Sequence, residues 1–316
     1  MKTEHTREQY RIRAAQLIKR AGQAIDSNHP TLSEVARWLV EHQPVMARAT
    51  WRQYRAAMMC FIEEYEAETA LQLIDREAAI ALLRATDTSQ CSPSSISTSA
   101  KKQKKISEKD LETLADYFLS NPGIRHGTAT FYWLVSGLWT GLRPSEWQSA
   151  RLVDDVDGNC DLTVTNAKNT NGRSHGDDRI IHLANITELE LAVIRLHLTN
   201  IATAKNNDIG FTAVYKHCRD CLYDANKKLW PKRHKFISLY SARHQFAADA
   251  KKSGLSQAAI AALMGHASEE TAGIHYGRRV SGRGGFRVAA NAADVARVQA
   301  INAGRLDRKV GDSPRM

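Results

Sequence analysis

No run in this chain of 316 residues reaches the roughly eighteen consecutive apolar residues of a membrane span, and its first residues, which include Glu4, His5, Arg7 and Glu8, lack a signal peptide's apolar core. The expectation is a soluble, cytoplasmic protein. Cysteine is scarce: five residues, an odd number scattered through a long chain, make no disulfide framework and suit a reducing compartment. Cys218 and Cys221 form a C-x-x-C near His217 and His234, but Ser238, Leu239 and Tyr240 stand where a zinc-finger spacing needs its last histidine. The pair reads as two side chains on one helix face. Also missing is the carboxylate cluster that a metal-dependent nuclease sets among its basic residues. No metal and no cofactor is expected. Acidic residues are the minority, 34 against 44 Lys and Arg, and the net charge of +10 attracts a polyanion such as nucleic acid.

The length accommodates two domains, each able to bury its own core. Residues 1–86 read as helices throughout, at 7–25, 32–41, 47–65 and 68–83, with Pro30 and Pro44 at the breaks. In the third, Trp51, Tyr54, Met58, Phe61, Ile62 and Tyr65 recur at helical spacing as a core stripe, flanked by Arg48, Arg52 and Arg55, which suit either solvent or phosphate. Residues 87–105 read as a linker: the run TDTSQCSPSSISTS holds almost no large apolar residue, and Lys101, Lys102, Lys104 and Lys105 follow as a basic cluster, either a solvated run or, at a domain hinge, a grip on a nucleic-acid backbone. The region 106–285 is mostly helical, at 111–119, 128–139, 188–199, 218–229, 239–252 and 257–264, with Ser256 as N-cap and Gly265 as the stop of the last. Two alternating runs, 160–166 and 178–183, flank an Asn- and Gly-rich turn and predict a hairpin. The fold class is thus mainly α with a small antiparallel β-sheet.

Three segments carry the chemistry. In TGLRPSEW, Arg143 follows the end of a buried helix and Pro144 begins the next; in LYSARHQFAADAKKSGL, Arg243 lies beside an apolar stripe; in AALMGHASEETAGIHYGRR, His266 follows Gly265 and Tyr276 comes ten residues later. Each feature alone is an ordinary cap or core residue. In the order Arg143, Arg243, His266, Tyr276, with G-L-R-x-x-E, R-H-x-F-A and L-M-G-H around them, the sequence resembles the tyrosine recombinases and phage integrases. The resemblance implies an N-terminal helical core-binding domain and a mixed α+β catalytic domain that clamp double-stranded DNA, cutting and rejoining it through a 3′-phosphotyrosyl intermediate.

In that reading Tyr276 is the nucleophile, and Arg143, Arg243 and His266 offer donors to the charge that gathers on a five-coordinate phosphorus. Glu146 resembles the acidic residue that orients the arginines, and Lys168, after the first strand, resembles the lysine that protonates the leaving 5′ oxygen. One departure is Tyr240, where the family usually has histidine: a phenol donates a hydrogen bond but is a poor general base. His244 and His275 lie nearby as substitutes, though adjacent helical positions diverge. The resemblance further implies a homo-tetramer on inverted-repeat core sites, with accessory DNA-bending proteins, in the cytoplasm at the nucleoid. An arm-binding domain is not expected. A type IB topoisomerase uses the same nucleophile and cage, and a non-catalytic DNA-binding factor can keep the fold. The tail, 286–316, predicts a helix with the stripe Val288, Ala292, Val295, Val298 and Ile301, which either folds back on its own catalytic domain or, as the resemblance implies, reaches a neighbouring protomer on the glycines 282, 284 and 285.

Overall fold

The computed structural model describes residues 4–92, 102–154, 160–167, 169, 172–207, 209–270 and 276–311. The chain divides into two compact units, Met1–Ser97 and Thr98–Met316. Among the described residues no helix is long and apolar enough to cross a membrane.

The first unit holds α1 (Glu4–Ala24), α2 (Leu32–Glu41), α3 (Arg48–Glu64) and α4 (Ala70–Ala85). At the start of α2, Thr31 and Glu34 form a reciprocal capping box, and the Asp75 carboxylate of α4 accepts the Leu32 and Ser33 N–H groups at 2.7 and 3.1 Å. One carboxylate thereby ties two helices together and answers orphan donors. The core gathers Leu17, Leu39, Trp51, Met58, Ile62 and Leu83, so the expected stripe of α3 does face inward. The linker begins later than its composition suggests. Cys91 is buried in this core and Ser92 donates its N–H to the Met46 carbonyl at 3.0 Å, so residues up to 92 fold onto the first unit.

The second unit runs α5 (Glu108–Leu119), α6 (Gly127–Thr140), a 3-10 turn (Pro144–Gln148), β1 (Arg151–Asp154), β2 (Cys160–Thr165), β3 (Asp178–His182), α7 (Glu188–Asn206), α8 (Phe211–Leu229), α9 (Leu239–Lys252), α10 (Gln257–Leu263), β4 (Ala289–Ala290) and α11 (Ala292–Gly311). The sheet is antiparallel in the order β1-β2-β3-β4. The β2–β3 pairing, with Thr165 opposite Asp178, is the expected hairpin. Strands β1 and β4 are too short to show a period. Helix α6 is apolar on nearly every side and lies in the core with Trp133, Leu134 and Leu138.

The tail departs from expectation. Val288 is not helical: it precedes β4, which joins the sheet edge, and α11 starts only at Ala292. In this chain α11 lies on its own unit, with Val298 fully buried among Ala258, Ala261 and Ala262 of α10. Asp294, also buried, accepts the Ile180 N–H at 3.0 Å, and Arg305 donates to the Gly172 carbonyl at 3.3 Å, so the helix also secures the hairpin turn. Gly282 is no free joint, because a Cβ there would stand 2.2 Å from the Ala248 carbonyl oxygen. Val298→Asp buries a charge against alanines and should lower stability by on the order of 3 kcal/mol. Thermal unfolding should show the loss equally at all protein concentrations; a loss that grows with concentration would place the helix on another protomer.

Candidate active site

The Arg143 segment is set by one glycine. Gly141 ends α6 at φ +69°, and a Cβ there would fall 2.4 Å from the Phe246 ring, so neither the turn nor the close approach tolerates another residue. Beyond it the Arg143 N–H donates to Glu146 Oε2 at 2.7 Å and its Nη1 to Oε1 at 2.5 Å. Glu146 is buried and serves more than Arg143. Arg179 Nη2 donates to Oε2 at 2.8 Å, Arg243 Nη1 lies 3.7 Å from Oε2, and the Ala167 N–H donates to Oε1 at 3.3 Å. Burial alone would push this carboxyl up, yet Arg179, Arg243 and Arg143 together hold it well below the usual carboxylate range.

Arg243 is fully buried on α9. It donates through Nη1 to the Gly141 carbonyl at 2.6 Å and through Nη2 to the Met264 carbonyl at 2.5 Å. Nη2 also meets His266 Nε2 at 3.0 Å, and Nε reaches the Tyr276 oxygen at 3.4 Å. His266 is neutral: burial first, then Arg243, Arg143 and Arg179, press its pKa far down. Since Nε2 accepts from Arg243, the ring proton sits on Nδ1. Among the described residues that buried Nδ1 has no partner, and the same is true of Arg143 Nε. Two buried donors near the Tyr276 phenol thus stand unanswered.

Helix α10 ends in a way that fixes this geometry. Its last carbonyls are answered by side chains from elsewhere: Ala262 by His175 Nε2 at 3.1 Å, Leu263 by Arg179 Nε at 2.9 Å, Met264 by Arg243. Gly265 then turns at φ +60°, where a Cβ would meet Asn166 Oδ1 at 2.3 Å, and His266 is delivered beside Arg243. Arg179 itself is an unanticipated member of the site. It lies on the inner face of β3 and donates also to Asn166 Oδ1, so one guanidinium joins Glu146, the end of β2 and the end of α10.

Tyr276 completes the cluster, its hydroxyl 2.9 Å from that of Tyr240. Burial pushes the Tyr276 phenol up, but Arg243, the hydrogen bonds it shares with Tyr240 and Arg243, and Arg143 outweigh it and set its pKa below the ordinary 10. His244 points differently from the reading of adjacent helical positions: its ring lies 5.1 Å from the Tyr276 ring, centroid to centroid. Four residues along α9, it also follows Tyr240 on the same face. The structure therefore brings together Arg143, Glu146, Tyr240, Arg243, His266 and Tyr276. Lys168, His275 and Lys101 lie outside the described residues.

Of the other basic positions, Arg48 and Arg52 are exposed on α3, whereas Arg55 is half-buried and donates to the Arg84 carbonyl at 3.4 Å. Lys102, Lys104 and Lys105 are exposed, and the charges of Lys102 and Lys104 are felt at His244, so part of this cluster borders the site. Cys218 is buried and its thiol pushed up to about 11 by that burial. Among the described residues no three His, Cys, Asp or Glu side chains are grouped to hold a metal ion.

No protein-family model matches the sequence, and no curated protein does. Among solved structures the chain is similar to the XerA recombinase, at 16% identity and a TM-score of 0.35, over 100% of this chain and 94% of that one. It is also similar to the Tn1549 transposon integrase solved in complex with transposon right end DNA, at 13% identity and a TM-score of 0.43, over 83% and 86% of the two chains. Likeness at these TM-scores carries no weight beside the side chains themselves.

Proposed function

We propose that this chain is a site-specific DNA recombinase of the tyrosine type, in which Tyr276 attacks a backbone phosphate, displaces the 5′ oxygen and holds the strand as a 3′-phosphotyrosyl ester until a second 5′ hydroxyl reverses the step. The observation that carries this reading is the convergence of the Tyr276 hydroxyl with Arg243, Arg143 and His266, the two arginines braced on the buried Glu146. Charge developing on phosphorus is met by fixed guanidinium and imidazole donors, which cost no reorganisation at the moment of reaction. Since the ester conserves the energy of the phosphodiester, rejoining needs no ATP. Lys102, Lys104, Lys105, Arg48 and Arg52 supply sequence-independent grip on the duplex. Assembly as a tetramer on paired inverted repeats, and a role in moving a genetic element, belong to the same proposal.

A duplex nicked just past the cleavage point tests it, because the short product diffuses away and traps the adduct. Peptide mapping should place the DNA on Tyr276, and the adduct should form in excess chelator. No adduct at any residue would leave only a DNA-binding role; relaxation of supercoiled DNA by a monomer without site preference would favour a topoisomerase.

Lys168 is assigned the proton for the leaving 5′ oxygen. What supports this is that the two described residues before it contact the cage, Ala167 through Glu146 and Asn166 through Arg179. Lys168→Ala should slow cleavage strongly, and a bridging 5′-phosphorothiolate, whose sulfur leaves without a proton, should restore most of the rate. Equal slowing on both substrates removes Lys168 from this role.

A further inference from the structure

Tyr240, Arg243 and His244 occupy positions i, i+3 and i+4 of α9, so one helix face meets the nucleophile three times. The Tyr240 and Tyr276 rings stack at 6.4 Å with their hydroxyls 2.9 Å apart. Arg243 Nε donates to the same Tyr276 oxygen, and its guanidinium carbon lies 5.2 Å from the Tyr276 ring centre. Among the described residues the remaining titratable neighbours are few. His244 and His266 each face the Tyr276 ring at 5.1 Å, Arg143 adds its charge, and Lys102, Lys104 and Lys251 act on His244. Glu146 is already held by three guanidiniums.

None of these groups is a useful base near neutral pH. Burial, Lys104 and Arg243 lower His244 to about 4, and His266 lies lower still. Burial raises Tyr240 to about 12, so between the two phenols Tyr240 keeps its proton and Tyr276 gives one up.

We propose that Tyr240 is a catalytic hydrogen-bond donor that activates the nucleophile by giving its O–H to the Tyr276 oxygen, in place of a base that would remove the proton. The inference rests on the recombinase reading only for what the activated phenol attacks. Tyr276 loses its proton to water; the phenolate lone pair then forms the O–P bond as the bond from phosphorus to the 5′ oxygen breaks, and that oxygen takes a proton from the general acid. In rejoining, the 5′ hydroxyl returns its proton to that acid's conjugate base and attacks phosphorus. The bond to Tyr276 breaks, and Tyr240 and Arg243 receive the departing phenolate without protonating it.

The test places 3-fluorotyrosine at position 276 of the full chain and follows its ionisation by fluorine NMR without DNA. The midpoint should lie below that of the same residue in denatured protein, and Tyr240→Phe should raise it by about one unit, the tenfold change worth about 1.4 kcal/mol. Single-turnover cleavage by Tyr240→Phe should fall about tenfold near neutral pH and recover as pH rises through the new midpoint. A midpoint unmoved by Tyr240→Phe overturns the proposal, adduct or no adduct. If the midpoint moves as expected and no adduct forms, the recombinase reading fails while the activated phenol stands. Should the Phe variant not fold, Tyr240→His decides: a ring N–H donor keeps the midpoint low, and a midpoint at the denatured value overturns the proposal.

Discussion

Tyr276→Phe is expected to abolish covalent attachment to DNA while leaving affinity for the duplex nearly unchanged. The substitution deletes one oxygen from a site whose other parts are held by contacts that do not involve it: Arg143 on Glu146, Arg243 on the Gly141 and Met264 carbonyls, Arg179 on Leu263. The phenyl ring still packs beside His244 and His266. The exposed lysines and arginines proposed to grip the phosphates are untouched. Denaturing gels on nicked substrate read the first effect, and mobility shifts at fixed salt read the second. Should the Phe variant retain an adduct, Tyr240 is the first place to look, since its hydroxyl occupies the adjoining position, and the assignment of nucleophile would be reversed.

Arg243→Ala should slow cleavage by at least about a hundredfold, the usual effect of losing one fixed donor to developing charge. It should also destabilise the second unit, and the structure says why. The guanidinium answers two carbonyls and the His266 ring, and each buried group left without a partner costs about 1–3 kcal/mol. Arg143→Ala should show a comparable kinetic loss with a smaller structural one, because its side-chain partner, Glu146, keeps Arg179. Thermal unfolding beside single-turnover kinetics separates the two effects. Cleavage by Arg243→Ala at the parent rate, in protein that remains folded, would remove the arginine from the chemistry.

Much of the site was legible because its residues sit at helix ends, where sequence speaks most plainly. Ser256 as N-cap, Gly265 as stop and the α9 boundaries Leu239 and Lys252 stand as the sequence predicts. Arg179 was missed although a signal existed: on a strand it shares the period-two face of Ile181 and Leu183, and an arginine on a buried face needs a partner. That partner, Glu146, lies 33 residues away, and no local pattern joins them. The stripe on α11 was visible but its seat was not. Ala258, Ala261 and Ala262 are small, so the groove they form leaves no apolar signature of its own. His244 was set aside because adjacent helical residues diverge, yet Tyr276 arrives from a distant segment and lies across both directions.

Two of the side chains that answer the end of α10 reach across long stretches of chain, Arg179 to Leu263 at a separation of 84 residues and His175 to Ala262 at 87, while Arg243, only 21 residues from Met264, also ties α9 to Gly141 at 102. Contacts that close such long loops form late in folding, since their entropy must be met before they stabilise anything. On the ribosome, a nascent chain that has emerged only as far as α9 has its arginines but neither α10 nor the nucleophile. On the proposed reading strand cleavage therefore needs the finished polypeptide, and a truncated translation product should bind DNA without nicking it. A fragment ending before Gln257 that nicked a duplex would show that cleavage can arise before the cage is closed.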